Sequence, residues 1–322
     1  MMLTKIEFEN YKALRNTTLP LEPFTLIVGP NGSGKSTALR SLRHGAQPLN
    51  ATYQTLATAG SVNPNGHVRL VFHAGGHEPA SAQWSNRTRD VLAAGDKAVL
   101  AALEASRVYS FHAPRLAAEA DLQPSVELKP DGLELAGVLD RLRDHAPERY
   151  DALNQELSRC IPEFDHVLFE TPRTGKRSIA LRAKEGGHRI PAAALSDGTL
   201  LALALLTLAH LPEPPPIIGL EDPDHGLHPR LLRDVRDALY RLAYPAEHGE
   251  TRAPVQVIAT THSPVFLDLF RDHPEQIVIA EKKGMEAEFH RLIDRPDIED
   301  ILQDTPLGDA WYSGVLGGVP QR

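Results

Sequence analysis

The chain has 322 residues, 42% of them apolar and 24% charged, enough to bury a sizeable core and to suggest about two domains of roughly 150 residues each. Its 34 basic and 42 acidic residues give a net charge of −8. That excludes a generally basic nucleic-acid coat and leaves room only for a local basic groove. The single cysteine, Cys160, excludes a disulfide framework and a Cys-rich zinc site, and it reads as a buried helical residue. The charged start has no signal-peptide core. The longest apolar run, near Leu200–Ala209, is about half of a bilayer span, so a cytoplasmic chain with no membrane segment is expected.

In chain order, alternation at Leu3, Ile6 and Phe8 predicts an opening strand, and Phe24–Val28 a second, compact one. Gly29–Ser36 reads as a glycine-rich turn that runs into a helix over Thr37–Leu42. Residues 50–66 read as loop, His67–His73 as strand, and 75–86 as loop again, with Trp84 either a partner contact or a packing residue. Thr88 is expected to cap a helix carrying Val91, Leu92, Val99, Leu100 and Leu103, broken near Gly95. A strand follows at Arg107–Phe111.

From 115 to about 190 the texture changes. Two amphipathic helices, Leu133–His145 and Glu148–Cys160, precede short strands at His166–Glu170 and Ser178–Arg182, the pattern of a smaller lobe inserted into the main domain. Thr199–His210 is nearly all apolar, which predicts burial on every side. Pro216–Leu220, Val255–Ala259 and Gln276–Ala280 read as core strands. A helix over Arg230–Leu242 turns Leu231, Leu232, Val235, Leu239 and Leu242 inward, and Trp311 beside Tyr312 packs the C-terminal stretch back onto the main domain. Alternating strands and helices argue for an α/β sheet with covered faces. The expected segments are 1–114, 115–190 and 191–322.

Gly29-Pro30-Asn31-Gly32-Ser33-Gly34-Lys35-Ser36 fits G-x-x-x-x-G-K-[ST] at every fixed position, with an apolar strand before it and a helix after it. Its glycines let successive N–H groups turn inward towards a phosphate. Lys35 is expected to reach the β- and γ-phosphates of ATP or GTP, and the Ser36 hydroxyl to sit on Mg²⁺. The buried strand Pro216–Leu220 ends in Glu221-Asp222. Beside the phosphate loop, Glu221 is expected to hold the metal and Asp222 to orient the attacking water. Asp224 reads chiefly as a solvated turn residue. The strand ending in Thr260-Thr261-His262-Ser263 places an imidazole at the same sheet edge. His262 there is either a structural hydrogen-bonder or a γ-phosphate sensor, and the two companion motifs favour the second. His225 and His228 lie three apart in a loop without a third partner and do not read as a zinc site.

Leu195-Ser196-Asp197-Gly198-Thr199 reads as a capped helix N-terminus. With it the chain resembles the ABC-type ATPase heads, whose LSGGQ-like signature binds the γ-phosphate held by the opposite subunit. LSDGT resembles the version found in the prokaryotic branch related to RecF, SMC and OLD heads. The opening Ile6–Arg15 is similar to that family's first strand and loop, and Lys12 and Arg15 join the nucleotide set by this resemblance. Val108–Arg115 is similar to the strand and loop after the first helical region, Leu220–Pro229 to the Walker B and D-loop, Thr261–Pro264 to the switch histidine segment, and Gly308–Gly318 to the end of stand-alone ATPases of the branch.

The resemblance implies a P-loop NTPase fold of the ABC-head type: a mainly parallel core sheet, an N-terminal antiparallel β portion and an inserted small helical lobe. It implies a nucleotide set of Gly29, Asn31, Gly32, Ser33, Gly34, Lys35, Ser36 and Thr37, with Ser196 and Gly198 reaching across a homodimer that sandwiches ATP. DNA and a protein effector are both candidate partners. Asp222 stands where the family usually has Glu. One methylene less displaces the carboxylate by about 1 Å and slows hydrolysis by roughly 10²-fold. Gln83 and Gln123 are both candidates for the family's Q-loop residue, and His228 falls where the D-loop aspartate is usual. The competing readings are a non-hydrolysing, ATP-gated interaction module, a transporter subunit, and a GTPase or small-molecule kinase. The LSDGT signature, the long separation of Lys35 from Ser196 and the inserted lobe argue against the transporter, and the signature helix and the His262 strand end against the GTPase and the kinase.

Overall fold

The computed structural model describes residues 1–44, 52–61, 66–86, 91–123 and 125–318. In chain order the first elements are β1 (Leu3–Tyr11), β2 (Leu14–Pro20), β3 (Phe24–Val28), α1 (Lys35–Ser41), α2 (Tyr53–Leu56), β4 (His67–Ala74), β5 (Ala80–Ser85), β6 (Val91–Ala94), α3 (Lys97–Ala105) and β7 (Arg107–Tyr109). Then come α4 (Ala113–Leu116), β8 (Ala120–Asp121), α5 (Leu135–His145), α6 (Pro147–Cys160), β9 (Phe164–Glu170), β10 (Lys176–Ala183), β11 (Arg189–Pro191), α7 (Asp197–His210), β12 (Ile217–Leu220) and α8 (Pro229–Ala243). The last are β13 (Gln256–Thr261), α9 (Pro264–Asp268), β14 (Ile277–Lys283), β15 (Glu286–Arg291), α10 (Ile298–Asp304) and α11 (Leu307–Tyr312).

These elements form two compact units. One comprises Met1–Val108, Pro215–Asp222 and Ala253–Arg322, the other Tyr109–Pro214 and Pro223–Arg252. The division differs from the expected segments 1–114, 115–190 and 191–322. In the second unit α7 packs on both α6 and α8, and Arg241 of α8 reaches Glu156 of α6, although α7 and α8 follow the stretch that reads as an insertion.

The first unit holds two sheets. Its central sheet has the order β15-β14-β3-β13-β12-β7, parallel across β14, β3, β13 and β12, with β15 returning antiparallel. β3, β12 and β13 are buried along their length, as both-face coverage requires. The other sheet, β2-β1-β4-β5-β6, is antiparallel throughout. A hydrophobic core built on Phe8, Tyr11, Leu39, Phe72, Trp84 and Val108 fills the first unit. Gln256, fully buried at the start of β13, clamps β1. Its Oε1 accepts from the Leu3 N–H at 2.8 Å, and its Nε2 donates to the Leu3 carbonyl at 2.7 Å. Trp311 is buried and donates from Nε1 to the Gly318 carbonyl, and a Cβ on Gly318 would lie 2.8 Å from Ile279 of β14, so the C-terminal stretch does pack back.

Three local readings change. Residues 75–86 contain β5, whose alternation is Ala80, Ala82 and Trp84 inward; small alanines carry the pattern, so it reads as loop. Trp84 is a core residue, 1% exposed, and not a partner contact. Val91–Ala94 is a strand rather than the first turn of a helix. The helix starts after Gly95 and is capped by Asp96, whose carboxylate accepts from Ala98 and Val99 N–H. Thr88 lies outside the described residues. Leu14–Pro20 also pairs as a full strand, with only Leu14 and Leu19 buried to announce it.

The second unit combines helices α4–α8 with a small sheet of β11-β10-β8 in which β9 also pairs β10. It is a mixed unit, and its β9 and β10 overlap the strands expected at His166–Glu170 and Ser178–Arg182. As expected, α7 is buried along almost its whole length, and α8 turns Leu231, Leu232, Val235, Leu239 and Leu242 inward. The end of α7 is tied down by charge. His210 Nε2 and Glu156 Oε2 of α6 are 2.6 Å apart, and Arg241 of α8 donates to the same oxygen at 2.6 Å. Burial pushes the Glu156 carboxyl up, yet hydrogen bonds from His210 and Arg241 outweigh it and bring the group down to about 2. Cys160 ends α6 half-buried, and burial raises its thiol to about 12. No described helix is long and apolar enough to cross a membrane.

Candidate functional site

The register of the central sheet assembles the site. Val28 of β3 pairs Thr261 of β13, and Leu220 of β12 pairs Ala259. The three parallel strands therefore end on one edge, where the next residues are Gly29, Glu221-Asp222 and His262. That is the edge at which sheets of this kind take ligands.

The phosphate loop is built by its glycines and held by its neighbours. Gly32 and Gly34 have φ of +76° and +85°, a left-handed conformation that a side chain would strain. At Gly29 an added Cβ would lie 2.3 Å from the Ala280 carbonyl oxygen, and at Gly34 2.8 Å from Leu14. The loop is thus wedged between β14 and the β1–β2 hairpin. Asn31 is exposed at its tip, while Ser36 and Thr37 are half-buried on the first turn of α1. Ser33 Oγ is buried with no hydrogen-bond partner among the described residues. An orphaned hydroxyl in a glycine-rich loop suits an anion that brings several acceptors.

Lys35 is 5% exposed, and its ammonium donates to the Gly29 and Pro30 carbonyls at 2.7 and 2.9 Å. Burial lowers it to about 8, against the pull of Asp222. His262 is lowered as well, by burial first and the Lys35 charge second, while Asp222 acts the other way. Lys35, Asp222 and His262, three of the four residues expected to be catalytic, thus lie within one another's electrostatic reach.

Asp222 has a backbone that sequence reading does not anticipate. Its φ is +45°, a region that Asp and Asn tolerate better than longer side chains. Its N–H donates to Thr260 Oγ1 at 3.1 Å, and the Thr260 hydroxyl donates back to Oδ1 at 3.2 Å. This short ring fits an Asp and leaves Oδ2 uncommitted by it. Glu221 is held differently. Arg40 of α1 grips it with two bonds, Nε to Oε1 at 2.8 Å and a terminal nitrogen to Oε2 at 2.9 Å. An added Cβ on Gly219 would meet Leu39 at 2.8 Å, so β12 receives α1 in close contact and this brings Arg40 to Glu221. Arg40 and Thr260 are the residues that sequence reasoning missed. The one available signal was that Arg40 stands four residues after Ser36, on the same helix face.

Lys12 and Arg15 lie at the β1–β2 turn. Lys12 has φ +52° and donates its N–H to the Leu56 carbonyl, whereas the Arg15 guanidinium pairs with Glu286 at 2.9 Å. Ser196 and Gly198 belong to the second unit. Ser196 caps α7, accepting from the Thr199 N–H at 3.1 Å, and a Cβ on Gly198 would lie 2.6 Å from the Gly226 carbonyl oxygen. His228 caps α8 through Nδ1. Of the Q-loop candidates, Gln83 lies in β5 and Gln123 in an exposed loop of the second unit.

Comparison with known proteins extends this geometry. The family described as "AAA domain, putative AbiEii toxin, Type IV TA system" matches residues 74–268, and the one described as "AAA ATPase domain" matches residues 1–59. An OLD nuclease of Thermus scotoductus is 49% identical over 41 residues, which is 13% of this chain and 8% of that protein, so the chain matches a small part of that relative's length. The fold is similar to the SMC head domain from Thermotoga maritima, at TM-score 0.53 and 17% identity, covering 90% of this chain and 99% of that one. An SMC head bound to the C-winged helix domain of ScpA gives TM-score 0.62 at 16% identity, covering 90% and 97%. An SMC head with an extended coiled coil, bound to the C-terminal domain of ScpA derived from Pyrococcus furiosus, gives 0.60 at 14%, covering 89% and 95%.

Proposed function

The chain belongs to the AAA-domain family whose model matches residues 74–268, and from that premise we propose that it is an ATPase head of the SMC- and OLD-like branch that binds ATP with Mg²⁺, closes two heads on the bound nucleotide, and reopens on hydrolysis in the cytoplasm. The convergence of Lys35, Asp222 and His262 at one sheet edge carries the proposal.

Backbone N–H groups along Gly29–Thr37 donate to phosphate oxygens, and the buried Ser33 hydroxyl gains the partner it lacks. Lys35 turns its ammonium from the Gly29 and Pro30 carbonyls to the β- and γ-phosphates. Lys12 and Arg15 add positive charge from the adjoining hairpin. Ser36 and Glu221 fit a hard cation, since both offer oxygen and Glu221 already holds a cationic group on the helix face that carries Ser36. Mg²⁺ held there would neutralise charge developing on the phosphates. Glu221 would give up its Arg40 bonds to hold it. Asp222 accepts a hydrogen bond from the attacking water on the oxygen that the Thr260 ring leaves open. His262 donates a ring N–H to the γ-phosphate, since both the neutral and the protonated imidazole carry a donor. Ser196 and Gly198 of a second copy close the γ-phosphate from the other side.

The process served is DNA repair or maintenance, or defence against foreign DNA. The OLD nuclease match and the toxin–antitoxin description of the matching family support this reading. A protein effector is the other candidate partner, supported by SMC heads that carry a ScpA domain. ATP turnover with and without single- and double-stranded DNA, with Lys35→Ala as blank, tests the proposal. DNA stimulation that Lys35→Ala abolishes supports the DNA role, and turnover indifferent to DNA refutes a DNA-activated ATPase.

The left-handed backbone and Thr260 ring at Asp222 favour one alternative: an ATP-gated interaction module that hydrolyses slowly. Asp222→Glu discriminates. A large gain in turnover marks a deliberately slow switch, and a loss marks Asp222 as the working residue of an ordinary ATPase.

A further inference from the structure

The phosphate loop has a wall that its own motif does not provide. The β14–β15 hairpin runs along it and meets it at three glycines. An added Cβ on Gly29 would strike the Ala280 carbonyl oxygen at 2.3 Å, one on Gly34 would lie 3.2 Å from Ala287, and one on Gly32 would lie 3.6 Å from the Lys282 ammonium nitrogen. Lys282 and Ala287 are directly opposite in the antiparallel pair, so both side chains stand on the hairpin face turned to the loop. Lys283 stands on the other face and is paired with Glu288 at 2.7 Å. Among the described residues no carboxylate pairs with Lys282. Its ammonium lies beside Gly32, at the exposed tip of the phosphate loop, and is, among the described residues, the one group within 4 Å of a Cβ added there.

We propose that Lys282 is a second phosphate-contacting lysine of this site, reaching the nucleotide from outside the P-loop motif. The inference rests on the ATP reading above. Lys35 approaches the polyphosphate from within the loop and Lys282 from the hairpin wall, so the two cations hold it from different sides. Lys282 is exposed and keeps its hydration until nucleotide arrives, so its contribution is that of one charge-assisted hydrogen bond, about tenfold in affinity.

Binding of a fluorescent ATP analogue by the full chain, without turnover, tests this. Lys282→Ala is expected to weaken binding about tenfold, Lys282→Arg to restore it to within about twofold, and Lys283→Ala to leave it unchanged. Thermal melts of the nucleotide-free variants control for folding. Binding by Lys282→Ala within about twofold of the parent, while Lys35→Ala loses it, overturns the assignment and leaves the ATP reading standing. An equal loss in Lys283→Ala overturns it as well, since that reports general charge. A parent protein that binds no better than Lys35→Ala overturns the ATP reading and this inference with it.

Discussion

Lys35 carries its charge where burial opposes it, and this yields a measurable proton. The ammonium is almost wholly enclosed, has two carbonyls for company and is lowered from 10.5 to about 8. A shift of that size is worth about 3 kcal/mol against the charged form. ATP phosphates at the ammonium remove the handicap. At pH 9 about nine-tenths of Lys35 is neutral in the free protein, so binding takes up about 0.9 proton per nucleotide and weakens roughly tenfold relative to pH 7, where uptake is about 0.1. Phosphate groups titrate near pH 6 and stay clear of this window.

The nucleotide-free fold responds in the opposite direction. A lysine depressed in the folded state takes stability away below about pH 8 and returns it as pH rises from there towards 10.5, so the empty protein gains stability while its affinity for ATP falls. Titration calorimetry at pH 9, in two buffers of different ionisation enthalpy, reads the proton number from the difference in heats. Buffer-independent heats at pH 9 would refute the reasoning, because they would mean that Lys35 is already charged in the empty loop.

Arg40→Ala frees Glu221 from its bidentate partner and is expected to lower the Mg²⁺ concentration needed for tight ATP binding by a few-fold, the scale of a half-exposed ion pair; an unchanged or raised requirement in a Mg²⁺ titration would contradict competition for that carboxylate. Gly198→Ala places a methyl 2.6 Å from the Gly226 carbonyl and is expected to destabilise the fold by about 1–3 kcal/mol, seen as a lower melting temperature. Glu156→Ala leaves Arg241 and His210 facing an empty site and should cost about 3–5 kcal/mol in urea unfolding at pH 7. Because the Glu156 carboxyl is lowered to about 2, its contribution is present above about pH 4.5 and is lost as pH falls towards 2, so the variant's deficit should shrink in acid.

The phosphate loop was legible because consecutive residues make it. Gly32, Gly34, Lys35 and Ser36 define a local backbone path, and the strand before and helix after are read from the same stretch. The apolar α7 and the inward face of α8 were legible for the same reason, since helical burial repeats along the chain. The strand ends at Glu221 and His262 could be paired with the loop because parallel strands in such sheets share one functional edge. The β5 strand was not legible, as alanines bury without announcing a hydrophobic period.

Tertiary structure alone decided the rest. It seated α1 on Gly219 so that Arg40 reaches Glu221, 181 residues further along the chain, and it bent Asp222 into the left-handed region under Thr260. It brought Lys282 beside Gly32 by folding β14 and β15 against the loop. The sequence by itself determined which groups this protein has for phosphate chemistry and where each stands on its own strand or helix. Which of those groups are already occupied by a partner, and which face the open loop, depends on contacts between residues far apart in the chain, and those distances are set only when the sheets close on a common core.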